Sequence, residues 1–127
     1  MDLATNHKGL TLLEVVIAMG LFFVAVLALS GVAVTASKGA AASKHLTTAA
    51  TLAQDTLEQV RNAGYDAGLT APLETTEAYD AIPDFPLYQR VVRMEPNRPV
   101  PGLQTATVTV SWADDRHSVT VATILAP

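Results

Sequence analysis

Glu14 stands at the entrance to an uncharged run, VVIAMGLFFVAVLALSGVAV, which extends from Val15 to Val34. An ionised acid costs roughly 2.5–3.5 kcal/mol at the centre of a membrane helix, so a carboxylate in such a place usually has a partner or a function. Lys8, the nearest basic residue, lies six positions earlier, out of phase with the i,i+3 or i,i+4 spacing of a helical ion pair. The chemistry open to Glu14 is therefore pairing with a positive group on another molecule.

No nucleophile or acid–base set accompanies it. His7, His45 and His117 are widely scattered, with no metal-ligand spacing and no nucleophile motif beside them. Asp114-Asp115 lies in a short polar stretch and reads as turn chemistry. Glu74, Glu77, Asp80 and Asp84 are interleaved with Pro72, Pro83 and Pro86. Oxygen ligands in a loop suit calcium, but this spacing matches no EF-hand, so the acids read as a solvated surface. A non-enzyme without cofactor or bound metal is expected.

The elements that must position Glu14 begin with the apolar run. About 20 residues at about 1.5 Å rise make a helix of about 30 Å, the thickness of a bilayer's hydrocarbon layer. The helix is expected to continue well past the run, from about Thr11 to Ala63. Leu46, Ala49, Ala50, Ala53, Leu57 and Val60 share one face of the continuation. Asn62-Ala63-Gly64 supplies the stop. No proline interrupts the span, but Gly20, Gly31 and Gly39 lie within it, either as weak hinges or for close packing against neighbouring helices.

The residues Lys8-Gly9-Leu10-Thr11-Leu12-Leu13-Glu14-Val15, followed by the unbroken apolar helix, resemble the processing site of type IV pilins and of the pseudopilins of type II secretion. The resemblance implies cleavage after Gly9 by a prepilin peptidase that recognises Lys8, Gly9, Leu10, Thr11 and Glu14. Leu10 would then be the N-methylated mature N-terminus, where the family more often has phenylalanine. Glu14 would be the fifth mature residue, with its carboxylate compensating the new α-amino group of a neighbouring subunit during assembly. Such a pair sets register more than it adds stability, because desolvation offsets much of the attraction. Implied partners are the peptidase/N-methyltransferase, other pilin or pseudopilin subunits, an inner-membrane assembly platform and membrane lipid. Major members often carry a proline where Gly31 stands, and a C-terminal disulfide that this cysteine-free chain lacks.

The N-terminus also allows an ordinary secretory signal cut after Val34-Thr35-Ala36, before Ser37. A signal's apolar region is usually about 7–15 residues, shorter than this run. A plain single-pass anchor, or a secreted small β-rich domain with no filament role, is the alternative. Lys8 and His7 on one side of the run face Lys38 and Lys44 on the other, so the charge rule does not orient the span. The resemblance puts the N-terminus in the cytoplasm and the C-terminal part in the periplasm.

With 127 residues, the chain has room for one small domain beyond the membrane span. The net charge of −4 is unchanged by loss of the leader, since Asp2 and Lys8 leave together. No basic patch with interleaved aromatics supports nucleic-acid binding. The expected organisation is a leader at 1–9, a transmembrane or filament-core helix at 10–35 and a periplasmic domain at 36–127. Within that domain the helix continues over 36–63, a loop occupies 64–86 and antiparallel strands fill 87–127. In the last part, Gln104 to Trp112 alternates Ala106, Val108, Val110 and Trp112 against Thr105, Thr107, Thr109 and Ser111. Leu87 to Met94 and Ser118 to Leu125 flank it, with Val119 and Val121 facing inward. The expected class is α+β, a pilin-like long helix packed on a small antiparallel sheet. The helix text Leu52 to Arg61 resembles that of minor pilins and minor pseudopilins, the subunits that initiate or cap filaments.

Overall fold

The computed structural model describes residues 11–127; the expectations for Lys8, Gly9 and Leu10 lie outside the described residues. Helix α1 runs over Leu12–Ala63, one residue inside the expected start, because Thr11 serves as its N-cap. The Glu14 N–H donates to Thr11 Oγ1 at 3.2 Å and the Val15 N–H to the Thr11 carbonyl at 3.1 Å. Thr11-Leu12-Leu13-Glu14 thus has capping-box spacing, with an acid in the positive first turn. At the other end Gly64 takes φ +79°, and its N–H reaches the carbonyls of Val60 and Arg61, both at 3.1 Å. A left-handed glycine closes the last turn as the sequence requires.

The chain falls into two compact units, Met1–Ala41 and Ala42–Pro127. In the described part of the first, the helix exposes its apolar side chains, among them Leu12, Phe22, Phe23 and Leu29. A side-chain carbon added at Gly20, Gly31 or Gly39 would meet nothing within 4 Å. No packing among the described residues therefore demands those glycines. By length and composition the helix suffices to cross a membrane.

The second unit lays the C-terminal part of α1 on a four-stranded sheet. Strands β1 (Leu73–Glu77), β2 (Tyr88–Pro96), β3 (Gln104–Trp112) and β4 (His117–Leu125) follow in spatial order, each antiparallel to the next. β3 buries Gln104, Ala106, Val108, Val110 and Trp112 and turns its intervening residues outward, the period-2 pattern of a half-buried strand. Val119 and Val121 of β4 are half-buried on the same core.

Two expectations need correction. The stretch 64–86 is not all loop, since β1 lies within it and pairs with β2 from Leu73–Met94 to Glu77–Arg90. Its sequence, LETTE, has no apolar alternation because four of its five residues are exposed, so periodicity carries no trace of it. The expected helix stripe holds at Ala49, Ala50, Ala53, Leu57 and Val60, which are buried or half-buried, but not at Leu46, and it omits Leu52 and Thr56. Ala49, Leu52, Ala53 and Thr56 are the buried residues of α1, whereas Leu46 is 53% exposed. Small Ala49 and Ala53 let the helix approach Val108, Val110 and Trp112, with Leu52 in the same cluster, and Thr56 is buried where it meets Arg90.

Gln104 is 1% exposed and is one of the largest fully buried side chains. Its Oε1 accepts the Asp66 N–H at 3.1 Å while its Nε2 donates to the Asp66 carbonyl. One amide thus pins the loop after α1 to the first residue of β3. Gln104→Leu keeps the volume but leaves both backbone groups without that partner, at about 1–3 kcal/mol for an unsatisfied buried polar group. Urea unfolding of the full chain in detergent is expected to show a loss of about 2 kcal/mol.

Candidate functional site

Glu14 is exposed in the first turn of α1. Its backbone N–H is committed to Thr11, which leaves the carboxylate outside the helix's own hydrogen-bond ladder. Val15, Ala18, Met19 and Phe22 line a shallow apolar surface beside it. The described part of the first unit therefore offers one acid at the head of an apolar helix that is exposed along its length. Such a surface matches lipid or other apolar helices, and the acid matches a cation brought by a neighbour.

The second unit holds a groove of about 610 Å³ lined by residues that include His45, Tyr79, Asp80, Trp112, Asp114 and His117. Helix α1 brings His45 to Tyr88 at the start of β2, where His45 Nδ1 and the Tyr88 hydroxyl are 2.8 Å apart. Tyr88 also lies beside Phe85 and Trp112, with ring centroids 6.3 Å away in each case. His117 stacks on Trp112 at 5.5 Å. The β3–β4 turn makes this possible by placing the last residue of β3 against the first of β4. His45 and His117 are thus brought to one groove that their separation in sequence concealed. Tyr88 and Trp112 stand between them as an aromatic wall, and no group of three His, Asp or Glu side chains among the described residues is arranged to hold a metal.

Tyr79 closes one side of the groove. Its hydroxyl donates to Asp115 Oδ1 at 2.9 Å and accepts the Asp115 N–H at 3.0 Å. Desolvation of the phenol, followed by the Asp115 and Asp114 carboxylates, raises its pKa above the ordinary 10.0, although the backbone bond from Asp115 works in the opposite direction. Asp114-Asp115 is therefore a turn fixed by Tyr79, and the backbone at Ala113, Asp114 and Asp115 takes φ between +55° and +61°. Aspartates tolerate this left-handed region through local hydrogen bonding.

Glu74, Glu77, Asp80 and Asp84 do not converge on a metal-holding group. Glu77 is engaged by Arg90 of β2 through Nε and Nη2, and Arg90 Nη1 donates to Thr56 Oγ1 at 2.8 Å. Thr56 in turn donates to the Leu52 carbonyl at 2.8 Å. Helix, central strand and edge strand are tied at one point, with the Arg90 side chain 17% exposed. A largely buried, bidentate arginine of this kind sets register more than net stability. Glu74 lies 4.0 Å from Arg93, an exposed pair of little energetic weight. Sequence reading missed this network because Thr56 and Arg90 stand 34 residues apart and its members belong to no motif.

Comparison with protein-family models, with curated proteins and with solved structures gave no match to this chain.

Proposed function

We propose that the chain is a structural subunit of a type IV pilus or a type II secretion pseudopilus, of the minor kind that initiates or caps a filament. The observation that supports the reading most directly is Glu14 in the first turn of an uninterrupted helix whose N-terminal part is apolar and exposed, the fifth residue after the Gly9-Leu10 junction. Cleavage there by a prepilin peptidase leaves Leu10 as the N-methylated end and puts its α-amino group one residue before the Thr11 cap. In a filament core, the Glu14 carboxylate of one subunit compensates that charge on the next. The helix then leaves lipid for a sheath of like helices, so its apolar side chains never face water.

In this proposal the N-terminus lies in the cytoplasm and the second unit in the periplasm or on the filament surface. The peptidase, an inner-membrane assembly platform and neighbouring subunits are its partners. The second unit serves as a presented surface rather than a catalyst.

The test is the intact mass and N-terminal sequence of the membrane-derived chain, from cells with and without the prepilin peptidase. A chain starting at Leu10 and one methyl heavier is expected only where the peptidase is present. A chain starting at Ser37, or one uncut in both cells, would overturn the reading in favour of a secreted domain or a plain anchor.

A further inference from the structure

The two edges of the sheet are built differently. β1 is five residues long, carries Glu74 and Glu77, and follows Pro72. Shortness, charge and proline are the devices that keep an edge strand from pairing with another chain. β4 has none of them. It is nine residues long, HSVTVATIL, with no Asp, Glu, Lys, Arg or Pro. Its register with β3 runs one to one through nine pairs, from Gln104–Leu125 to Trp112–His117, with no bulge to bend it away. It is last in the sheet order, so among the described residues one row of its backbone donors and acceptors has no strand beside it.

We propose that the free edge of β4 pairs antiparallel with β4 of a second copy of this chain, joining two sheets into one of eight strands. The inference rests on the sheet and not on the filament reading. Backbone N–H and C=O groups at strand spacing are matched along their whole length only by another strand. The second copy is the fitting occupant because β4 is compatible with itself. A two-fold axis through Val121 overlaps all nine residues and keeps like faces together. It sets Thr120 opposite the partner's Ala122, and Val119 opposite the partner's Thr123. No like charges meet along the seam, and the half-buried row of Val119, Val121 and Thr123 continues into its own copy, extending the apolar side of the sheet.

Directly opposite residues of an antiparallel pair have Cβ atoms about 4.5–5.5 Å apart and diagonal ones about 7–8 Å, and a disulfide needs the nearer distance. The chain has no cysteine, so every introduced thiol is diagnostic. Thr120 and Ala122 are both exposed, and substitution there leaves the core untouched. Full-length Thr120→Cys and Ala122→Cys chains, carrying different tags, are co-expressed and oxidised in native membranes. Crosslinked dimer is expected from the mixture at about ten times the yield from either variant alone, and none from Thr75→Cys on β1. No dimer, or equal yields from mixture, single variants and the β1 control, overturns the proposal; equal yields would mean that the apolar helices alone bring copies together. Since the N-terminal mass is indifferent to β4 pairing, failure here and failure of the filament reading are separately visible.

Discussion

Trp112→Ala is expected to lower the unfolding stability of the second unit by about 3–5 kcal/mol, the usual cost of removing a buried aromatic from a packed site. Small domains have roughly 5–15 kcal/mol in total, so the variant should lie near its folding threshold. Trp112 is 9% exposed and touches three parts of the unit at once. It packs on Tyr88 of β2, stacks on His117 of β4, and belongs to the cluster of Ala49, Leu52 and Ala53 from α1. Loss of the indole therefore opens a void that no single neighbour can fill. The measurement is urea denaturation of the full chain in detergent, followed by far-ultraviolet circular dichroism, because Trp112 is the only tryptophan and its fluorescence disappears with it. Leu87→Ala supplies the comparison. Leu87 also lines the groove but is 63% exposed, and its removal should stay within about 0.5 kcal/mol. A loss below about 1 kcal/mol for Trp112→Ala would mean that the groove, and not the core, is its real environment.

On the filament reading proposed above, Glu14→Ala should abolish incorporation into filaments while leaving membrane insertion intact. An α-amino group buried without its carboxylate costs about 3–5 kcal/mol, and each 1.4 kcal/mol is tenfold in an equilibrium. The filament-bound fraction is thus expected to fall by about two to three orders of magnitude. Capping does not explain such a loss. The bond to Thr11 uses the backbone N–H of Glu14, which alanine retains, and a first-turn acid is worth only about 0.3–1 kcal/mol to the helix dipole. Glu14→Asp keeps the charge but draws it back by one methylene, and should incorporate at an intermediate level. The readout is the ratio of chain in sheared or pelleted filaments to chain in the membrane. Wild-type incorporation by Glu14→Ala would remove the electrostatic role assigned to this residue.

The two predictions address the two units separately, and the units differ in how much of them the sequence discloses. Helix α1 is legible almost to the residue: apolar composition, absence of proline and Gly64 all act within a few positions along the chain. β3 is equally plain, because alternate burial writes its period into nine successive residues. β1 is invisible for the opposite reason. An exposed edge strand has no buried face to impose a pattern, and it exists only because β2 offers it a partner in register. The groove was likewise illegible, since His45 and His117 have no meaning for each other until α1 brings one to Tyr88 and the β3–β4 turn brings the other to Trp112. Gln104 lay in plain view at the start of β3, where its polar type among alternating apolar residues was the available clue to a buried hydrogen bond.

Legible in the residues alone are the long helix with one acid at its apolar head and a glycine stop, the strands of the C-terminal third, and the absence of any disulfide. These follow from local rules of propensity, period and capping, which act over one or two turns of chain. Tertiary packing adds that Leu52 and Thr56 join the buried side of α1, that Arg90 joins Glu77 to Thr56, that Gln104 holds Asp66, and that β1 is guarded while β4 is open. Each of these is a matter of register between segments distant in the chain, and a polar group finds its partner only after the sheet and helix have fixed the distance between them.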